Sequence, residues 1–492
     1  EQRRITDELY GGDDTNRLAQ EAILGIGGVR MLRALGHREL ERFHLNEGHA
    51  ALAIPELVAE ETARSGGDVA LAKERVRSRC VFTTHTPVPA GHDVFSAEQI
   101  DTVVDGRWDT FGVDREAFHA LGHHPELDHG RFHMTGLAIR LSRHVNGVSK
   151  IHGEVTRGLW ASLWPDREPA ALPIGHVTNG VHLGSWMAHH VMELFDDQFG
   201  ADWGQQVDDP AFWDRMVELD DDALWGVHMK LKYDLLNYVR EQSRTRWRSH
   251  EWDATHLVGS GTLLSPKPLT IGFARRFATY KRAGLLFRDV ARLQRLLTHE
   301  QRPVQVVFAG KAHPADDEAK KIIQEIFRST RDPRFGGRVA FIEDYDLHVA
   351  HRLVQGVDLW LNLPRAPLEA SGTSGMKAAL NGVPQMSTLD GWWAEGYNGH
   401  NGWTLPLVLG EDDVVDEADH EQVFSILERD VVPRYYRLDE NGLPLEWIAM
   451  MKEAIKEAGR MFTTRRMVQD YVRKYYLPAL RGDAAGDDPP IR

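Results

Sequence analysis

Between residues 266 and 363 the chain alternates short apolar runs with amphipathic segments, and this constrains its fold more than any other feature. LTIGFA is followed by an amphipathic stretch, then VQVVFAG, then DDEAKKIIQEIF with Ala319, Ile322, Ile323, Ile326 and Phe327 on one helical face. RVAFIEDY, another helix-like segment and VDLWLNLP complete the series. Strand, helix and strand repeated in this way predict an α/β fold with a doubly wound parallel sheet. The break LVGSGTLLSPKP just before it places a domain boundary near residue 265. Residues 210–248 and 445–480 read as amphipathic helices, and TNRLAQEAILGIGGVRMLRALG as an opening helix ending at Gly36. The last stretch, RGDAAGDDPPIR, reads as a disordered tail.

In open α/β sheets, ligands sit beyond the carboxyl ends of the strands, so the loops there are where chemistry is expected. In LNLPRAPLEASGTSGMKAAL, Gly372, Thr373, Ser374 and Gly375 leave backbone N–H groups open at a helix start, an arrangement that attracts phosphate. Lys377 lies in the first turn and could hold one end of a ligand whose phosphate rests on those amides, as pyridoxal phosphate requires. Local pattern alone leaves a surface lysine after a capping turn as the commoner outcome. No GxxxxG precedes the lysine, so this is not a nucleotide-binding P-loop. IGFARRFATYKRAG sets Arg275, Arg276, Lys281 and Arg282 directly after a strand, equipment suited to phosphate.

Other polar clusters carry less. His44 and His49 are five apart around Glu47 and lack HExxH spacing, so no metal site is expected. HHPELDHGRFH (123–133) reads as a solvated loop, and GIGG (25–28) follows no strand, which discounts a dinucleotide fingerprint. The charge balance, 58 basic against 73 acidic residues, is spread along the chain and argues against nucleic acid or an anionic membrane as partner. A single cysteine, Cys80, excludes an internal disulfide, and with neither an apolar run of 18 residues nor a signal peptide visible, the expected location is the cytoplasm.

Eight stretches in order resemble the α-glucan (glycogen, starch, maltodextrin) phosphorylase family, and more closely its short prokaryotic branch: HLNEGHAALAIPEL, TTHTPVPAGHD, RHVNGVSKIHGEV, HVTNGVHLGSW, RRFATYKR, FAGKAHPADDEAKKII, FIEDYDLHVA and EASGTSGMKAALNGVPQMSTLDG. The resemblance covers about residues 5–480 and implies a glycosyltransferase-B fold, two Rossmann-like domains facing across a cleft. It implies phosphorolysis of the terminal α-1,4 bond of a glucan to α-glucose 1-phosphate with retention, the phosphate of pyridoxal phosphate serving as acid and base. By match of motif, Lys377 is the lysine that carries pyridoxal phosphate; Thr373, Ser374 and Arg275 fall at its phosphate, and Tyr345 and Trp186 beside its ring. Arg276 and Lys281 match residues that bind substrate phosphate, and His85, Asn179, Glu369, Ser371 and Gly372 match glucose-binding positions. His85 is counted with Lys377, Arg276 and Lys281 among the catalytic candidates. Glu369 is expected to accept bonds from sugar hydroxyls and not to act as general acid.

The expected domains are 1–265, the remaining part of an N-terminal glucan-binding Rossmann-like domain; 266–480, a C-terminal pyridoxal-phosphate domain; and the tail 481–492. The family carries a further stretch of more than about two hundred N-terminal residues, the scale of a domain, so the chain reads as a fragment with an incomplete first domain. It also departs from the family in reading GTSGMK for the common GTGNMK, Arg275 for lysine and Glu47 for aspartate. A glycogen-synthase-like glycosyltransferase without pyridoxal and a noncatalytic glucan-binding fragment are the competing readings. A homodimer is the family habit.

Overall fold

The computed structural model describes residues 4–7, 12–104, 106, 108, 111, 113–127, 130–248 and 253–481. Apart from Arg481, which closes the helix Leu477–Arg481, the expected tail lies outside the described residues. The chain divides into two compact units, Glu1–Thr178 with Met467–Arg492, and Asn179–Arg466.

The first unit holds a four-stranded, all-parallel sheet of β1 (Phe43–Asn46), β2 (Cys80–Thr83), β5 (His144–Gly147) and β6 (Ile174–His176), in that order. A separate antiparallel pair joins β3 (Val94–Phe95) to β4 (Phe132–His133). The opening helix begins on an Asp13 cap that accepts the Asn16 N–H at 3.0 Å. It runs through a π-helical turn, Ile23–Gly27, to Ala34, and Gly36 leaves it at φ +92°. GIGG is thus helical. A Cβ on Gly25 would lie 2.7 Å from the Ala53 backbone nitrogen, so only glycine allows that close approach. The HHPELDHGRFH segment differs from expectation: His124 and His133 are buried, with rings 5.0 and 5.6 Å from that of buried Trp160. Cys80 is buried in β2, which pushes its thiol up to about 12.

The second unit is built on six parallel strands: β7 (Leu269–Ala274), β8 (Val304–Ala309), β9 (Val339–Ile342), β10 (Leu359–Asn362), β11 (Gln385–Thr388) and β12 (Gly402–Leu405). Their spatial order is β12-β11-β10-β7-β8-β9. β7 and β8 are buried along their whole length, as a sheet covered by helices on both faces demands. The chain winds outward from β7 to β9, crosses back, and winds the other way from β10 to β12. The point where direction reverses lies between β7 and β10.

The division falls at 178/179, well before 265. LVGSGTLLSPKP is a local break, but the 28-residue helix Asp221–Arg248 before it packs on the helix Leu347–Gly356 and belongs to the second unit. Buried Lys232 and His228 of the long helix both bond to Asp358 at the foot of β10, at 2.5 and 2.7 Å. Helical periodicity identifies the helix but not the sheet it covers.

Candidate active site

The loops that follow β7 and β10 meet where the winding reverses. Just past the end of β7 lie Arg275, which is buried, and Arg276, which is exposed. Arg275 donates from Nη1 to Asn362 Oδ1, the last residue of β10, and from Nη2 to the Glu369 carboxylate. Asn362 in turn donates to Ser387 Oγ in β11 at 3.2 Å. Lys281 is buried with Nζ 3.6 Å from Glu369 Oε1. Burial, then the neighbouring Arg275, pushes its amine down to about 7 although Glu369 opposes the shift. Burial also acts against ionised Glu369, but Arg275 and Lys281 outweigh it and hold the carboxyl below the usual range.

The loop leads into a short helix, Thr373–Ala379, capped by Gly372 at φ +78°, a left-handed conformation that favours glycine. Ser374 Oγ accepts from Trp360 Nε1 at 3.3 Å, Thr373 is part-exposed, and the Ser371 hydroxyl is buried without a hydrogen-bond partner among the described residues. Lys377 Nζ sits 3.6 Å from the centroid of the Trp186 ring, which lies against His351 with ring centroids 4.4 Å apart. Among the described residues no carboxylate pairs with this amine, and burial alone brings it down to about 8. Asn381 fixes the approach, donating to the carbonyls of Trp186 (2.9 Å) and Lys377 (2.8 Å) and accepting the Ala188 N–H (2.7 Å). Tyr345 and Trp186 pack on the same apolar cluster.

Not every expected residue is tied to this centre. Asn179 opens the second unit, and its carbonyl accepts from Arg466 Nη2 at 3.0 Å. His85 belongs to the first unit, exposed just beyond β2, with Nε2 3.2 Å from Asn46 Oδ1. Its loop is pinned by Glu47, which at φ +61° accepts the His85 N–H at 2.7 Å and the Thr86 hydroxyl at 2.8 Å. The sequence by itself marks neither Asn381 nor Asp390. Both lie inside the longest motif, and only their backbone partners in the fold distinguish them. Asp390 Oδ2 accepts the Glu369 N–H at 2.7 Å and Oδ1 the Gly391 N–H at 2.8 Å; burial pushes its carboxyl up to about 7 despite these bonds.

The family model described as carbohydrate phosphorylase matches residues 33–395. The chain belongs to the carbohydrate phosphorylase family. Among its relatives in that family, it is 42% identical over 481 residues to the glycogen phosphorylase of Aquifex aeolicus, 97% of this chain and 68% of that protein. It is 42% identical over 489 residues to the glycogen phosphorylase of Mycobacterium bovis and 39% over 484 residues to the maltodextrin phosphorylase of Thermococcus litoralis, in each case 97% of this chain and 56% of the relative. Among the described residues no helix is long and apolar enough to cross a membrane.

The depressed Lys281 has a testable consequence for anion binding. Above pH about 7 the free site loses this positive charge, so, were Lys281 to hold phosphate as the motif resemblance implies, phosphate affinity should fall as pH rises. The Michaelis constant for phosphate, measured from about pH 6 to 9, should climb more steeply in the parent than in Lys281→Arg, whose guanidinium stays charged. The titration of phosphate itself is common to both and cancels in the comparison.

Proposed function

We propose that the chain carries the cofactor and phosphate sites of an α-1,4-glucan phosphorylase, which uses inorganic phosphate to release the terminal glucose as α-D-glucose 1-phosphate with retention. The observation that carries this reading is Lys377: a half-buried amine without an acidic partner among the described residues, resting on a Trp186 ring where the sheet reverses its winding. Relatives named glycogen and maltodextrin phosphorylase support the same class. Two units, each built on a parallel sheet, support a glycosyltransferase-B fold.

The residues present fit pyridoxal phosphate. An amine brought down to about 8 is free to react with an aldehyde near neutral pH, and a flat aromatic face beside it suits a pyridine ring. Lys377 would hold the cofactor covalently, Trp186 and Tyr345 would flank its ring, and Thr373, Ser374 and Arg275 would hold its phosphate. When bound, the group supplies a phosphate whose second ionisation lies near neutrality and can exchange protons. Arg276 and Lys281 would hold the substrate phosphate and offset the repulsion between two anions in a site screened from water. In the second unit, Glu369, Ser371, Gly372 and Asn179 would bind the terminal glucose; His85, in the first unit, is proposed as a sugar-binding residue by the same motif match. The unpartnered Ser371 hydroxyl supports such a role, since a sugar hydroxyl would satisfy it. Arg275 and Lys281 keep Glu369 ionised, so it can accept hydrogen bonds but holds no proton for the leaving oxygen.

Borohydride reduction of the full-length polypeptide incubated with pyridoxal phosphate, followed by peptide mapping, tests this reading. A pyridoxyl group on Lys377 is the expected result. Its absence would instead favour a sugar-nucleotide transferase of the same fold.

A further inference from the structure

We propose that Asp390 is a positioning residue that holds the backbone of residues 369–371 so that Glu369 and Ser371 face the sugar; this rests on the reading of those residues as a glucose site. Three consecutive residues after β11 grip that backbone. Asp390, 1% exposed, accepts the Glu369 N–H at 2.7 Å and closes on the Gly391 N–H at 2.8 Å. Gly391 follows at φ +54°, and a Cβ there would lie 2.5 Å from the Ser371 carbonyl oxygen, so only glycine allows the segments to approach. Trp392 then donates its N–H to that same carbonyl at 2.8 Å.

The chemistry of the group fits this work. Two N–H donors converge on one side chain, one on each oxygen, and among the described residues no cationic side chain pairs with it. Ionised, as it is above pH about 7, the carboxyl accepts at both oxygens, whereas an amide of the same shape must turn its NH2 toward one of the donors. Arg275 and Lys281 hold the far end of Glu369, so its carboxylate is fixed from two directions: by cations at the tip and by Asp390 through the backbone.

The test compares full-length, cofactor-loaded wild type with Asp390→Asn, Glu369→Gln and the double variant. In D390N the Michaelis constant for maltodextrin should rise roughly tenfold to a hundredfold, the scale of a small misplacement of a binding group. Cofactor content and the Michaelis constant for phosphate should stay within about twofold, and the double variant should be little worse than E369Q alone. Independent, multiplying effects of the two substitutions would overturn the proposal, as would an unchanged sugar constant. So would a parallel loss of cofactor, phosphate affinity and thermal stability, which would mark Asp390 as structural only. Should D390N not fold, Gly391→Ala presses on the Ser371 carbonyl from the next residue and must give the same sugar-selective defect. A wild type without phosphorolysis would sink the reading of the site; an active wild type with an unaffected D390N would sink only this inference.

Discussion

Lys377→Arg should abolish phosphorolysis while leaving the fold intact. Arginine keeps the positive charge and much of the length, and a guanidinium can still lie over the Trp186 ring, so the packing seen for Lys377 is largely retained. What it lacks is an amine that can lose its proton near neutral pH, which burial gives Lys377 by bringing it to about 8. The turnover of the full-length enzyme should fall on the order of a thousandfold or more, about 4 kcal/mol of transition-state stabilisation. Borohydride should fix no pyridoxyl group, and the melting temperature of the cofactor-free protein should change little. A K377R variant that retained turnover would remove the lysine from the chemistry.

The second large effect is on stability. Asp358 is fully buried and accepts three bonds, from Lys232 Nζ (2.5 Å), His228 Nε2 (2.7 Å) and the Thr270 N–H (2.6 Å). Lys232 also reaches the Pro268 carbonyl (2.8 Å) and the Tyr435 hydroxyl (3.0 Å). One carboxylate thus ties the long helix to the feet of β7 and β10. Asp358→Ala should destabilise the second unit by about 3–5 kcal/mol in urea titrations, because it strands a buried ammonium. The double variant Lys232→Met with Asp358→Leu should recover much of that loss, since it removes both desolvation penalties. Burial opposes the charge of Asp358, yet Lys232 and His228 hold its carboxyl below the ordinary range. The stability it contributes is therefore present above the ordinary carboxylate range and lost as the pH falls toward its lower folded value, a loss that D358A should not show.

The strand alternation of residues 269–363 was legible because both faces of a parallel strand are buried, which leaves uninterrupted apolar runs. The division between units was not, because a glycine–proline break is a local signal and the packing of the helix Asp221–Arg248 is not. HHPELDHGRFH misled for a related reason: its composition is hydrophilic, yet His124 and His133 find Trp160 some 30 residues on. At the site, it is the order of motifs and not local pattern that points to Lys377, and the same order points to Arg275, Arg276 and Lys281. Motif resemblance sets Trp186 beside a cofactor ring; that the Lys377 amine itself rests on Trp186, 191 positions away by residue number, is visible only in the fold. Asp390 and Asn381 act on backbone groups, so no spacing of polar residues points to them.

The most direct test of the account is the identity of the product. The full-length polypeptide, loaded with pyridoxal phosphate, should convert maltodextrin and inorganic phosphate to α-D-glucose 1-phosphate, read by phosphorus and proton NMR, with no free glucose when phosphate is withheld. Free glucose in phosphate-free buffer, a β-configured product, or turnover that needs a sugar nucleotide would contradict it.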